Sequence, residues 1–282
     1  MPTDDVQSDD VLAIVARVTN AGKLTEARKL LAYIGAAYRA AIRSRQDARS
    51  TADLRELRIR NNPARDVVAV DGGANARERA LSVAKLRAYW RRIAEPAGQA
   101  TAMLRFHLLI GAQRIEQLAR LTADDFDRDN GTIRLRDGKG RRKAPRAHDV
   151  PLLPEAVEAM QAMAPQRVGP FLFTVTAGET GAVYSTVQHR MRKVAEAMEA
   201  AGELEKGMFT PGDLRRTVET RLAAAGVSVD VRARLQSHGL GGVQARHYDR
   251  HDYLAEKREA LETLHRLLTA DPGKVVNLRR KG

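Results

Sequence analysis

One stretch near the end of the chain, residues 209–253, constrains both the fold and the chemistry. It reads FTPGDLRRTVETRLAAAGVSVDVRARLQSHGLGGVQARHYDRHDY and predicts a helix with Arg215 and Arg216 in its first turn. A second helix ends at Ser237-His238-Gly239, and a glycine-bearing turn then leads to Tyr248. Guanidiniums, a histidine and a phenol are what covalent attack on a phosphodiester requires, because phosphoryl transfer depends on positioning and on stabilising charge.

The charge balance of the whole chain fits a polyanionic partner. Lys and Arg total 48 against 35 acidic residues, which gives a formal net charge of +13 over 282 residues. Such a surplus promotes binding to nucleic acid, because neutralising phosphates releases condensed counterions. Charge alone also fits a basic protein without that partner. The length suits two domains of ordinary size, and the predominance of alanine and leucine favours helices.

The composition also excludes some classes of site. The chain contains no cysteine, so disulfides, thiolate metal sites and cysteine nucleophiles are absent. Its acidic, polar start lacks both the basic n-region and the apolar h-region of a signal peptide. No stretch approaches the roughly eighteen consecutive apolar residues of a membrane helix. We therefore expect no membrane partner, and a cytoplasmic, nucleoid-associated location.

The first 62 residues predict a small helical domain. Apolar periodicity indicates three helices, over about 9–20, 25–45 and 52–59. Cations near the end of the second helix, which we assign to DNA binding, are Arg39, Arg43 and Arg45. A solvated basic face on an ordinary helical bundle is the alternative. The period then breaks around Pro63 and two adjacent glycines, which indicates a linker over 63–80.

Residues 131–152 carry the clearest β signal. Ile133 and Leu135 alternate with arginines, and Asp137-Gly138 marks a turn before a return strand, which predicts an antiparallel hairpin. This is also the densest cationic run in the chain. The positions that we assign to DNA binding are Arg141, Arg142 and Lys143, together with Arg216 of the later helix. An edge hairpin that charge protects from strand pairing is the alternative.

Several motifs together resemble the tyrosine recombinases, or phage-integrase family. Members carry the pattern TPHDLRRT, a helix pair, LGH and then a tyrosine. The corresponding segments of this chain are TPGDLRRT at 210–217, LQSH at 235–238 and Tyr248. Arg114, predicted at a helix start, matches the family's first-arginine motif, Gly-x-x-Arg-x-x-Glu-Leu-x-x-Leu, with Gln117 at the Glu position.

The resemblance implies a mainly α catalytic fold with a small antiparallel β-hairpin or sheet, an α+β arrangement, over 81–270. A helical core-DNA-binding domain would precede it at 1–62, and a basic tail would follow at 271–282. The helical part is short for a complete domain of that kind, which leaves truncation and natural abbreviation both open. The implied partners are a double-stranded DNA target site and further copies of the chain, as a tetramer on DNA. The C-terminal segment would dock on a neighbour, and the apolar stripe predicted for a helix at 253–268 needs a partner.

The resemblance also implies a catalytic set and a reaction. The set is Arg114, Lys139, Arg215, His238 and Tyr248. Tyr248 would attack the scissile phosphate and form a 3′-phosphotyrosine, with no metal, ATP or other cofactor. Lys139 matches the family's catalytic lysine best, and Lys143 is the second choice. The resulting function is site-specific DNA recombination or integration.

One departure leaves an alternative open. Gly212 stands where the family has a second histidine, so His247 or water takes over that role, or activity is reduced. The alternative function is a DNA-binding regulator or architectural factor with weakened or lost strand cleavage. His247 and His251 have an i,i+4 spacing that zinc helices share, but no glutamate follows the first histidine and no third ligand is evident, so we predict no metal site.

Overall fold

The computed structural model describes residues 5–57, 59–72, 78–94, 98–138, 146–205, 207–237 and 251–270. The chain divides into two compact units, Met1–Arg77 and Glu78–Gly282. The boundaries that we expect for the linker and the tail stay predictions.

The first unit is a small helical assembly. Its helices are α1 (Ser8–Asn20), α2 (Leu24–Ser44) and α3 (Ala52–Glu56), so α3 is shorter than predicted. α1 begins where the Asp10 carboxylate accepts a hydrogen bond from the Gln7 backbone N–H at 2.9 Å.

The core of this unit includes residues of the predicted linker. Val11, Val15 and Ala27 are buried together, and Val67 and Val70 pack against them. The part of the linker that carries these valines is therefore packed on the helices.

The second unit is mainly helical around a small sheet, which confirms the predicted fold class. Its elements in order are α4 (Val83–Ala94), α5 (Gly98–Leu109), α6 (Ile115–Leu118), a 3₁₀ turn (Ala123–Asp125), β1 (Phe126–Asp127), β2 (Thr132–Asp137), β3 (Arg146–Pro151), α7 (Pro154–Ala162), α8 (Tyr184–Ala200), α9 (Pro211–Ala224), α10 (Val229–Leu235) and α11 (Leu254–Thr269). Helix α5 lies at the centre, because its residues from Ala102 to Leu109, Arg105 excepted, are all buried.

The sheet is antiparallel in the order β1-β2-β3. Ile133 pairs with Val150 and both are buried, while Arg134 on the other face is exposed, as the alternation predicts. The prediction of a turn at Asp137 is wrong, because Asp137 still pairs with Arg146. Strand β1 was not predicted, since two residues are too short for a periodic signal.

Helix α11 finds its apolar partner within the same unit. Leu261, Leu264 and Leu268 are buried in the core that α4 and α5 also build. The apolar stripe therefore needs no neighbouring subunit to cover it. The segment 271–282, to which docking on a neighbour would then fall, lies outside the described residues.

Candidate active site

The turn after α5 presents Arg114. Gly111 and Ala112 both have positive φ, +82° and +51°, and this geometry reverses the chain before α6. Arg114 then takes the N-cap position of α6 in extended backbone. Leu118 and Leu121 are buried below it, which confirms the predicted helix start and its inward-facing leucines.

Arg114 is held by a carboxylate and a carbonyl. Its Nη1 donates to Asp137 Oδ2 at 3.0 Å and lies 3.5 Å from the Ser237 carbonyl. Ser237 Oγ donates to the same Asp137 oxygen at 3.0 Å. The end of β2, the start of α6 and the turn after α10 therefore meet at one carboxylate.

Arg215 reaches the same place from α9. This helix begins with a capping box in which Asp213 N–H donates to Thr210 Oγ1 at 3.2 Å and Thr210 N–H donates to Asp213 Oδ2 at 2.9 Å. The helix begins at Pro211, so Arg215 is its fifth residue. It therefore lies just after the first turn, one residue later than predicted.

The Arg215 guanidinium is clamped by two carbonyls. Nη1 donates to the Ala112 carbonyl at 3.2 Å, and Nη2 donates to the Gln236 carbonyl. Burial, reinforced by the nearby charge of Arg114, lowers the pKa of Arg215 to about 9. The group is therefore still charged at neutral pH, and two guanidiniums stand together in a partly desolvated site.

Two buried glutamines brace this arrangement. Gln236 Nε2 donates to the Gly111 carbonyl at 3.3 Å and to the Arg215 carbonyl at 3.0 Å. Gln113 Nε2 donates to the carbonyls of Ile110 and Leu235, each at 2.8 Å. Neither glutamine was predicted as part of the site. The available signal was their place in the two motifs, where Gln113 directly precedes Arg114 and Gln236 directly follows Leu235.

Two histidines brace the same region from the core. His148 Nε2 lies 2.9 Å from the Leu235 carbonyl. His107 is fully buried, with Nε2 3.0 Å from the Gln113 carbonyl. Burial lowers the pKa of His107 to about 4, and the charge of Arg215 acts in the same direction. His107 is therefore a neutral core residue.

A cationic cavity adjoins Arg114. It has a volume of about 440 Å³, and its lining residues are Arg114, Glu116, Gln117, Arg120, Arg136, Asp137 and Gly138. Arg136 pairs with Asp125, and Arg120 is exposed. Both side-chain polar atoms of Gln117 are buried and have no hydrogen-bond partner among the described residues.

The remaining predicted site residues divide into two groups. Lys139, Lys143, Arg141, Arg142, His238, His247 and Tyr248 lie outside the described residues. Arg39, Arg43, Arg45 and Arg216 are described: the first three are exposed along or just after α2, and Arg216 pairs with Asp213 at 2.6 Å. The structure thus brings Arg114 and Arg215 together, and it places Asp137 two residues before Lys139 and Ser237 directly before His238.

Gly212 is the second residue of α9 and lies in ordinary helical backbone. Of the atoms in the described ranges, a Cβ added to it would meet only Thr210 Oγ1, at 3.6 Å. The glycine is therefore not required by its backbone conformation.

His251 does not have the geometry of a zinc-helix ligand. It lies in non-helical backbone before α11, and its Nε2 is 2.9 Å from Glu256 Oε1. Its ring lies against that of Tyr253, with the centroids 4.5 Å apart. Tyr253 is in turn covered by Arg234, whose Cζ lies 3.8 Å from the ring centroid.

Comparison with known proteins identifies the class. The model of the phage integrase family matches residues 81–253, more than half of the chain. The chain therefore belongs to the phage integrase family, the tyrosine recombinases. The predicted family is confirmed, and with it the predicted class of function, site-specific DNA recombination.

Solved structures share the fold. A lambda integrase dimer bound to a COC' core site is 17% identical, with a TM-score of 0.56 over 89% of this chain and 84% of that one. The Tn1549 transposon integrase in complex with circular intermediate DNA is 20% identical, with a TM-score of 0.57 over 92% and 86%. A lambda integrase tetramer bound to a Holliday junction is 18% identical, with a TM-score of 0.58 over 88% of this chain and 66% of that one. No curated protein matches the sequence.

Within the described ranges, no helix has both the length and the apolar character that crossing a bilayer requires.

Proposed function

We propose that this chain cleaves and rejoins double-stranded DNA at specific sites through a 3′-phosphotyrosine intermediate. The observation that carries the proposal is the convergence of Arg114 and Arg215, which reach the adjacent carbonyls of Ser237 and Gln236. Both arginines lie in the segment that matches the phage integrase family.

Counting contacts within the described residues, the clamped guanidiniums have N–H donors left for a phosphate. A guanidinium has five N–H donors in a fixed fork. Arg215 uses two of them on carbonyls, and Arg114 directs one nitrogen to Asp137 and Ser237. The remaining donors suit the non-bridging oxygens of a phosphodiester, whose negative charge increases in the transition state.

The remaining roles follow the family resemblance. Tyr248 Oη attacks phosphorus, a new P–O bond forms, and the bond to the 5′-oxygen breaks. Lys139 protonates that leaving oxygen, and His238 donates a hydrogen bond to the phosphoryl oxygens. A 5′-hydroxyl of the partner strand then reverses the attack, so each step exchanges one phosphodiester for another and consumes no ATP.

The partners in this proposal are a double-stranded DNA target site and further copies of the chain. Strand exchange joins two duplexes and therefore needs one nucleophile for each of four strands. Since each copy of the chain supplies one nucleophile, four copies assemble as a tetramer on DNA. The exposed arginines of the first unit, Arg39, Arg43 and Arg45, supply phosphate contacts. Residues 271–282 are the segment proposed to dock on a neighbouring copy.

A covalent-capture experiment tests the proposal. DNA that the protein selects from a random-sequence pool is rebuilt with nicks near the centre of the bound site, so that cleavage releases a short strand and cannot reverse. We expect a protein–DNA adduct that survives denaturing electrophoresis. DNA that is bound but never joined, over nicks at every central position, would indicate the regulator or architectural factor instead.

A further inference from the structure

Asp137 joins three segments of the site through one oxygen atom. It is the last residue of β2 and is 7% exposed. Its Oδ2 accepts from Arg114 Nη1 and from Ser237 Oγ, each at 3.0 Å. The strand that leads to Lys139 is thereby fastened to the arginine and to the residue before His238.

The local charges give this carboxylate a defined role. Arg114 and Arg215 repel each other in a partly desolvated site, and the charge of Asp137 opposes the effect of Arg114 on Arg215. The first-arginine motif has a glutamate at 117, where this chain has a buried glutamine. Gln117 and Asp137 line the same cavity. The carboxylate of the motif is missing at position 117, and Asp137 supplies one in the same cavity.

The backbone at Ser237 supports the same reading. Ser237 has a φ of +50°, a conformation that is uncommon for a residue other than glycine, and the LGH motif has a glycine there. The hydrogen bond from its hydroxyl to Asp137 stabilises that conformation and fixes the turn immediately before His238.

We propose that Asp137 is a positioning residue for strand cleavage: it orients the Arg114 guanidinium and joins the end of β2 to Ser237. The inference rests on the proposed function. Because Asp137 acts through its neighbours, removing its charge slows cleavage more than it weakens DNA binding, which depends mainly on phosphate contacts elsewhere.

The test compares Asp137→Asn with Asp149→Asn. Asp149 pairs with Arg134 at 2.9 Å on the adjacent strand, so the control removes a similar ion pair outside the site. We expect Asp137→Asn to lower the single-turnover rate of adduct formation about 10²-fold, as a displacement of about 1 Å does. The Kd for the selected DNA should stay within about threefold, and Asp149→Asn should cleave at the wild-type rate. Adding Gln117→Glu to Asp137→Asn places a carboxylate at the motif's glutamate position, in the cavity that Glu116 also lines, and should recover part of the rate.

Two outcomes would overturn the role of Asp137. One is a wild-type cleavage rate in a folded Asp137→Asn variant. The other is a parallel loss of rate, DNA affinity and Tm that Gln117→Glu does not reverse, which would mean a purely structural role.

A measurement independent of cleavage separates this inference from the proposed function. Side-chain NMR reports rotation of the Arg114 guanidinium, assigned through Arg114→Lys. We expect restricted rotation in the wild type and faster rotation in Asp137→Asn. If the wild type forms no adduct, the proposed function fails, and equal rotation in both proteins would still refute the positioning role.

Discussion

Gly212→His should raise the rate of adduct formation. Gly212 lies three residues before Arg215, at the N-terminal end of α9, and its φ is not in the positive range. Among the described residues, a Cβ there would meet only Thr210 Oγ1, at an ordinary contact distance of 3.6 Å. The Cβ of a histidine therefore needs no change of backbone, three residues before the arginine that we propose binds the phosphate.

The expected magnitudes follow from the position. Glycine is a poor helix residue, so the substitution should change the free energy of unfolding by less than about 1 kcal/mol, in the stabilising direction. A positioned acid or base contributes about 10²-fold at the low end of its range. Since the site already has other polar groups, we expect a gain between about threefold and 10²-fold, equivalent to about 0.7–2.7 kcal/mol of barrier.

The assay is single-turnover adduct formation on the nicked substrate, with Gly212→Ala as the matched control. Alanine adds the Cβ and the helix propensity without the imidazole, so only the histidine variant should gain rate. A well-folded Gly212→His that cleaves no faster than Gly212→Ala would show that an imidazole at position 212 does not assist cleavage. A His247→Ala variant would then show whether His247 already transfers the proton.

Three further predictions concern the arginine clamp, the leaving group and the core. Arg215→Lys should slow cleavage about 10²- to 10³-fold, because an ammonium cannot span the carbonyls of Ala112 and Gln236 and still bind phosphate. Arg216→Lys should cost far less, because Arg216 is half-buried and pairs with the buried Asp213 instead of with these carbonyls. Lys139→Ala should slow cleavage of ordinary DNA, and a 5′-bridging sulfur, which needs no protonation to leave, should restore the rate. Burial lowers the pKa of His107 to about 4, below its ordinary value near 6.5, so the unfolded chain binds the proton first as pH falls. The free energy of unfolding should therefore drop on the order of 2 kcal/mol between pH 8 and pH 5, and denaturant titrations of His107→Gln should show a smaller drop.

Each of these has a contradicting result. Equal losses for Arg215→Lys and Arg216→Lys would remove the special role of the clamp. Failure of sulfur rescue in Lys139→Ala, with success in Lys143→Ala, would move the general acid to Lys143. A wild-type pH dependence in His107→Gln would show that other groups control acid unfolding.

Local signals account for what the sequence predicted well. The capping pair Thr210 and Asp213 lies three residues apart, so the start of α9 is encoded within one turn. Arg114 at the start of α6, and the alternation of Ile133 with Arg134, depend in the same way on neighbours in sequence. The family motifs then indicated that the two arginines belong to one site.

Contacts between distant segments account for what was missed. Gln236 is buried because its amide reaches the Gly111 carbonyl, a contact across most of the second unit's sequence. Asp137 resembles a turn residue in sequence, but Arg146 extends the strand pair to it. The apolar stripe of α11 predicts that this face of the helix packs against other residues. Only the packed core shows that those residues belong to the same unit.

Identifying the residue that is joined to DNA is the decisive measurement for Tyr248 as the nucleophile. Tyr248→Phe and Tyr253→Phe are compared on the nicked substrate, since Tyr253 is a second phenol close by whose ring packs under Arg234. We expect Tyr253→Phe to form the adduct, and Tyr248→Phe to bind the same DNA about as tightly as the wild type and form none. Mass spectrometry of the digested wild-type adduct should place the nucleotide on Tyr248. An adduct that persists in Tyr248→Phe, or a nucleotide on any other residue, would rule out Tyr248 as the nucleophile.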